Sequence, residues 1–361
     1  MFQRNANKDL NEVNMLVRWG LMIGLAFFCI MIYLIWLVEF DIFRNKNIVT
    51  DTHLRIALLI FAFIVSIIVV NCFIKFLAMS LNHSYHKRFS HVDRIGSFVE
   101  AMERTFFTEK KYDHIVLFLH GFTASPQEFQ HIIPYLQSNN INYYMPNIMG
   151  FGIDNTALLN NTHRYDWYRT CLGVFDALSK VSNKVSVVGH SMGSMLATYI
   201  SEHRNVHHLV LTGPGFYSIK SDIKYKILLT TPVISTIYAW VVPYLPKPIR
   251  KGRKTTSDTL DNTHTANIFQ YLAVPIRSVR EVFLLQDEVH PECAHPHSFS
   301  IIYGKHELTV DVGRLIQHLN YHGVKYNLFE MKNSAHNVLE DFDRDECCQL
   351  IIDILLGNKC D

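Results

Sequence analysis

Gly189-His190-Ser191-Met192-Gly193 follows an apolar run at residues 185–188 (VSVV) and opens a helical pattern over residues 192–203. A serine held between glycines at a strand-to-helix turn is placed for nucleophilic attack. The sharp turn crowds the backbone, glycine relieves the crowding because it lacks Cβ, and the hydroxyl is lifted to where a base and a substrate can both reach it. A serine hydroxyl alone is a weak nucleophile, so a base and an orienting acid must come from elsewhere. In this arrangement the acid and then the histidine follow later strands in chain order. Residues 298–303 read as a strand and lead into Gly304-Lys305-His306-Glu307. Residues 325–331 read as the next strand and lead into Lys332-Asn333-Ser334-Ala335-His336. His336 is expected to act as general base and then as general acid. Glu307 is the expected acid, with Asp311 in the following helix as the alternative. Negative charge on a reacting carbonyl oxygen needs backbone N–H donors. His120-Gly121-Phe122, after the first long apolar run, places Phe122 as one donor, and the residue after the serine, Met192, as the other.

These residues require a sheet whose strand ends share one rim. Strands are expected at residues 111–120, 142–145, 185–188, 206–212, 298–303 and 325–331. Helices are expected at residues 126–139, 165–180, 192–203, 310–322 and 341–356. Alternating strands and helices imply an α/β fold with a mostly parallel sheet covered on both faces. Residues 213–297 are too long for an ordinary loop. The apolar stretch 227–245 inside them is broken by Pro232 and Pro243, which argues for a lid, about residues 216–290, rather than a membrane span.

The first 85 residues differ in kind. Residues 19–38 carry no charge, and neither do residues 56–74, which lie between Arg55 and Lys75. Each run is long enough to cross a bilayer core of about 30 Å as a helix. A cleaved leader would have a shorter apolar core followed by small residues, so both runs are expected to be retained as a two-helix transmembrane hairpin. Arg4, Lys8 and Arg18 before the hairpin and Lys75, Lys87, Arg88 and Arg94 after it outnumber Arg44, Lys46 and Arg55 in the loop. That asymmetry favours both ends, and the domain 86–361, on the cytoplasmic side, which would be the inner membrane in a bacterium. Scattered Cys171, Cys293, Cys347, Cys348 and Cys360 fit a reducing compartment.

Several classes are disfavoured. Over 361 residues, 34 Lys and Arg face 32 Asp and Glu, a net charge of +2 that gives no argument for nucleic acid. A hydrophobic content of 49% is too high for a disordered chain. Seven cysteines without a CxxC pair suggest neither a disulfide framework nor a zinc ribbon. His290, Cys293, His295 and His297 crowd one loop with Glu292, at no recognisable zinc spacing, and are read as a solvated loop. Lys247, Arg250, Lys251, Arg253 and Lys254 follow the apolar insert and could face either anionic lipid or water.

The chain resembles the α/β-hydrolase superfamily, specifically bacterial carboxylesterases and monoacylglycerol lipases. FLHGFTASPQEF (118–129), MPNIMGFG (145–152), DW (166–167), VVGHSMGS (187–194), IIYGKHE (301–307) and NSAHNVLEDFDRDE (333–346) carry the resemblance, over about residues 115–356. It implies an acylated Ser191, His336 in the triad, and oxyanion N–H groups from Phe122 and Met192. Two positions depart from it: Gly150-Phe151-Gly152 replaces the usual GHG, a change expected at the pocket rim, and Glu307 replaces the usual Asp. The expected activity is a membrane-anchored serine hydrolase acting on a lipid-like ester such as a monoacylglycerol or lysophospholipid. A short-chain carboxylesterase, an acyl thioesterase or a peptidase would use the same machinery. A catalytically silent membrane interaction module is the non-enzymatic alternative. The triad chemistry needs no cofactor and no metal. The expected partners are the lipid bilayer and the ester substrate.

Overall fold

The computed structural model describes residues 33, 36, 52–89, 112–151, 156–220, 222–247, 249, 251–253, 256–261, 263 and 269–358. Its strands are β1 (Tyr112–Leu119), β2 (Asn142–Tyr144), β3 (Ser182–His190), β4 (His208–Thr212), β5 (Tyr244–Pro246), β6 (Ala273–Pro275), β7 (Ser298–Gly304) and β8 (Asn327–Met331). Its α-helices are α1 (Thr52–Phe89), α2 (Ile133–Ser138), α3 (Thr156–Asn160), α4 (Arg164–Val181), α5 (Met192–His203), α6 (Ile223–Thr230), α7 (Pro232–Val241), α8 (Ile276–Glu288), α9 (Val312–Tyr321) and α10 (Arg344–Leu355).

Ile115 to Leu119 are all completely buried, as a strand covered on both faces must be. Side chains alternate across a strand, and the two core layers follow that alternation. Ile115, Leu117, Leu119, Val187, Leu209, Leu211 and Ile301 pack with α4 and α5. Val116, Phe118, Val188, Val210 and Ile302 pack with α10 and the turn after β1. The sheet order is β2-β1-β3-β4-β7-β8. Every neighbouring pair is parallel, with Leu117 opposite Val187, Val188 opposite Val210, and Ile302 opposite Phe329. The loops after β1, β3, β7 and β8 therefore leave one rim, where ligands of open parallel sheets bind.

The helix expected over residues 126–139 starts instead as a 3-10 helix, Pro126–Ile132, and becomes α2 afterwards. Pro134 supplies no N–H for an α-type bond to the preceding turn and sits instead in the first turn of α2, which favours a new start there over one continuous α-helix. The strand expected at residues 185–188 is the middle of the longer β3, extended by pairing as far as Tyr112 opposite Ser182.

The insert lies between β4 and β7. Its apolar stretch breaks at Thr231-Pro232 into α6 and α7, with Pro232 in the first turn of α7. β5 then pairs antiparallel with β6. α8, which the sequence pattern did not reveal, buries Ile276, Glu281 and Leu285.

The first run of the expected hairpin lies outside the described residues apart from Tyr33 and Trp36. The second lies within α1, a 38-residue helix whose stretch Ile60–Ser84 is long and apolar enough to cross a membrane. One face of α1 packs on the insert. Ile74 and Ala78 are buried against Tyr244 and Ala273. The Asn82 side chain, completely buried, accepts from the Leu272 and Ala273 N–H groups at 2.9 and 3.2 Å and donates to the Ala273 carbonyl at 2.7 Å. The Asn71 amide donates to the Trp240 carbonyl. Asn82→Ala would leave three buried backbone groups without this partner. It is expected to destabilise the fold by about 1–3 kcal/mol, read as a lower thermal midpoint of the full chain in detergent. An unchanged midpoint would show that α1 does not hold the insert.

Candidate active site

Ser191 sits between β3 and α5 with φ 53° and ψ −113°. A side-chain-bearing residue adopts this conformation at a cost of roughly 1–3 kcal/mol, so the surrounding packing must hold it. The glycines allow the turn to be this tight. A Cβ on Gly193 would fall 1.9 Å from the Leu119 carbonyl oxygen, and one on Gly189 would fall 2.3 Å from the Gly193 carbonyl oxygen. The Ser191 N–H donates to the Thr212 carbonyl at 3.0 Å, fixing the turn against β4.

The structure brings Ser191, His336 and Glu307 into one line. His336 Nε2 lies 2.8 Å from Ser191 Oγ, and His336 Nδ1 lies 2.6 Å from Glu307 Oε2. The carboxylate fixes the proton on Nδ1, which leaves Nε2 free to accept from the serine. Burial alone would lower the His336 pKa, but the adjacent Glu307 charge and hydrogen bond outweigh it and hold the imidazole above its ordinary value. The other Glu307 oxygen accepts from the Thr309 and Val310 N–H groups at 2.6 and 3.1 Å. Asp311, the alternative acid, is placed elsewhere. It caps α9 by accepting from the Arg314 N–H at 3.0 Å.

Two aspartates that sequence reasoning left unassigned grip these loops. Asp258, in the insert, accepts from the Leu308 N–H at 3.1 Å and the Thr309 hydroxyl at 2.8 Å. Its carbonyl accepts from the Asn337 N–H at 3.2 Å, so one residue ties the acid loop to the histidine loop. Arg253 bonds Asp258 Oδ1 and the His306 carbonyl, each at 2.5 Å. Its side chain is buried, so this member of the basic cluster serves the acid loop and does not face lipid. Arg250 and Lys254 lie outside the described residues. Asp341, completely buried, accepts from the Ala335 N–H at 2.8 Å and holds the segment before His336. No spacing rule marks either aspartate, because their partners, many of them backbone N–H groups, are brought near only by the fold.

The loop after β1 is fixed by Glu128, also unassigned from sequence although it lies in the FTASPQEF motif. Glu128 Oε2 accepts from the Gly121 N–H at 2.8 Å, and Oε1 accepts from the Asn337 amide at 3.2 Å. Glu128 thus joins the loop carrying Phe122 to the loop carrying His336. The Phe122 and Met192 N–H groups have no hydrogen-bond partner among the described residues, which leaves them available to an oxygen on the substrate. His120 donates from Nδ1 to the Gly121 carbonyl at 2.9 Å and accepts at Nε2 from the Ile148 N–H at 3.1 Å. Burial lowers its pKa to about 4, so it is a neutral brace. His190 bonds Thr212 Oγ1 at 3.1 Å, and burial keeps its pKa well below the usual value.

Phe151, expected at the pocket rim, is instead buried. Its ring centroid lies 5.5 Å from that of His120, 5.7 Å from that of Phe122 and 5.7 Å from that of Trp167, beneath the loop. The crowded histidine loop divides: His290 stays 3.4 Å from Glu292. His297 stacks on His207 at 5.3 Å, while Glu292 bonds His318 at 2.8 Å.

Burial pushes the Glu128 carboxyl up to about 7, against an ordinary 4.5. Folding therefore favours its protonated form. The associated stability is fully present below pH 4.5 and is lost as pH rises through about 7. Glu128→Gln is expected to flatten that part of a thermal-stability profile over pH. Glu128→Ala is expected to cost about 1–3 kcal/mol, by leaving the Gly121 N–H unpaired. A Gln variant whose profile still falls between pH 4.5 and 7 like the wild type would refute the assignment.

The family model for the alpha/beta hydrolase fold matches residues 114–256. Coelenterazine h 2-monooxygenase of Renilla reniformis is 28% identical over 99 residues, covering 27% of this chain and 31% of that protein. The chain thus spans about a third of that curated relative. One of the metagenome-derived lipolytic enzymes LipS and LipT superposes with a TM-score of 0.57 at 17% identity, over 71% of this chain and 99% of the other. Monoacylglycerol lipase of Paleococcus ferrophilus gives 0.52 at 14% identity, over 67% and 94%. With the parallel sheet, the strained serine turn and the acid and histidine on later loops, these likenesses show that the chain has the α/β-hydrolase fold.

Proposed function

We propose that this protein is a membrane-anchored serine hydrolase that cleaves carboxylic esters through an acyl-enzyme, with lipid-like esters as substrates. The hydrogen-bonded line from Glu307 through His336 to Ser191 carries this reading.

In the proposed reaction Ser191 Oγ attacks the ester carbonyl carbon and its proton passes to His336 Nε2. The carbonyl oxygen becomes negative and is held by the Phe122 and Met192 N–H groups, at the N-terminus of α5, where the helix dipole also favours negative charge. Collapse breaks the bond to the leaving alkoxide, which takes the proton from His336. Water then gives its proton to His336 while attacking the acyl carbon, and the returning proton restores Ser191. Glu307 stabilises the imidazolium throughout and stays ionised.

The apolar α1 and the apolar insert packed on it support the lipid preference and the anchoring, through the hairpin 19–38 and 56–74 with the domain on the cytoplasmic side. The test is hydrolysis by the detergent-purified full chain across esters of increasing acyl length, with a monoacylglycerol and a thioester included. Serine-dependent turnover that peaks at long chains is expected. A short-chain peak would make the protein a general carboxylesterase, and a thioester preference would make it a thioesterase. If the folded protein shows no turnover and no labelling of Ser191 by a serine-reactive phosphonate, the enzyme reading fails and the interaction module replaces it.

A further inference from the structure

The outer surface of the insert is apolar where water should favour polar residues. In α7, Val233, Ile234, Ile237 and Trp240 are 70, 48, 58 and 47% exposed, while Ser235 on the opposite side is buried. Val233, Ile237 and Trp240 recur at four- and three-residue spacing, so they form one stripe along the helix. Next to it, Ile223, Tyr225 and Ile227 of α6 are also exposed. An unsupported apolar stripe of this length is a contact surface awaiting a partner.

The contacts of α7 say what that partner is. The C-terminal turn of α7 is bound to α1 through the Trp240 carbonyl and the Asn71 amide. Lys75 is the first charged residue after the apolar run of α1, and it is exposed. At the rise of an α-helix, Asn71 lies roughly 6 Å to the apolar side of Lys75, and Asn82 roughly 10 Å to its polar side. With Lys75 taken as the exit from hydrocarbon within the apolar stretch Ile60–Ser84, the end of α7 lies at that level and the β5–β6 pair lies beyond it. Interfacial helices bury an apolar face about 5–10 Å into the headgroup and acyl boundary, which matches that level. A cation lies beside the exposed residues of α6: Lys224 is exposed between Ile223 and Tyr225, where it suits an anionic lipid headgroup.

We propose that α6 and α7 lie in the bilayer interface beside α1, with the stripe Val233, Ile234, Ile237 and Trp240 in the acyl region. The insert is then a part of the catalytic domain seated in lipid, and the ester is offered from the membrane. The same segment reaches the reacting loop. After Asn82 grips Leu272 and Ala273, the Tyr271 N–H donates to the Thr123 carbonyl at 3.1 Å, next to Phe122. This proposal rests on the membrane-anchored reading of the protein, but its first test needs no turnover.

The full chain carrying Trp19→Phe and Trp36→Phe would be placed in phosphatidylcholine and phosphatidylglycerol vesicles. Its tryptophan emission then comes from Trp240 and the buried Trp167. Lipids brominated near the headgroup end of the acyl chain are expected to quench Trp240 roughly twofold, and lipids brominated at mid-chain less, as for an interfacial indole. Adding Trp240→Phe should remove the quenchable part. Equal emission with and without bromine would overturn the proposal whether or not the protein is an enzyme. The double variant Val233→Glu, Ile237→Glu is expected to lower hydrolysis of vesicle-embedded monoacylglycerol roughly tenfold and to leave a soluble short-chain ester unchanged. Equal loss on both substrates, or loss on neither, would also overturn it. Absence of turnover in the unsubstituted protein would instead count against the hydrolase, with the quenching still deciding where α7 lies.

Discussion

Ser191→Ala is expected to lower kcat by roughly 10⁴- to 10⁶-fold on any ester the protein hydrolyses, with little change in thermal midpoint. Alanine keeps the Cβ, so the backbone strain at φ 53° and the contacts of the turn are unchanged. Only the nucleophile and its bond to His336 are lost. Ser191→Gly separates strain from chemistry more sharply. Glycine relieves a cost of roughly 1–3 kcal/mol in the folded turn and loses about 0.5–1 kcal/mol through its freer unfolded chain. That variant should be equally inactive and no less stable than the wild type. Turnover within about tenfold of wild type in either variant would mean that another group carries the reaction. A Gly variant several degrees less stable would mean that the elbow is not strained.

The geometry of the candidate site was legible where it follows from a local rule. Gly189 and Gly193 announce the turn because no side chain fits there, and His336 follows the last strand in the expected order. The choice between Glu307 and Asp311 was open in the sequence, since both follow the same strand within a few residues. It turns on geometry, with one carboxylate reaching His336 and the other turned back to cap α9. Glu128, Asp258 and Asp341 stayed hidden for a different reason. Each joins segments that only the fold brings together, partly through backbone N–H groups, and such partners leave no residue-type signature. Core strands such as β1 were readable because unbroken apolar runs are what a two-face burial demands. The single helix read over residues 126–139 overlooked the break at Pro134, and α8 went unread although its apolar residues follow helical spacing, because it lay inside the stretch read only as a lid. Arg253 shows the limit of reading a cluster: five cations in eight residues left lipid and water both open, and burial beside Asp258 gave one of them neither.

Glu307→Gln is expected to lower kcat by roughly 10²- to 10⁴-fold and to move the acid limb of kcat/KM to lower pH. The carboxylate does two things to His336. Its charge raises the imidazole pKa against burial, and its acceptor oxygen fixes the proton on Nδ1. The neutral amide removes the charge, so burial then acts alone and the pKa falls. The amide can also offer N–H where an acceptor is needed, which turns the ring or selects the wrong tautomer. In the wild type the base must be neutral, so activity rises with pH through a His336 pKa held above 6.5. In the variant that rise should come at lower pH and reach a much lower plateau. Asp311→Asn is the companion variant. It removes the α9 cap charge, should cost no more than about 1 kcal/mol of stability, and should leave kcat within about twofold. Should the two variants exchange these outcomes, the acid would be Asp311, and the 2.6 Å contact between Glu307 and His336 would have no part in the reaction. Glu307→Asp measures the reach of the acid: one methylene shorter on the same backbone, it is expected to retain the high acid limb but to lose roughly tenfold in kcat, because the carboxylate must stretch toward Nδ1.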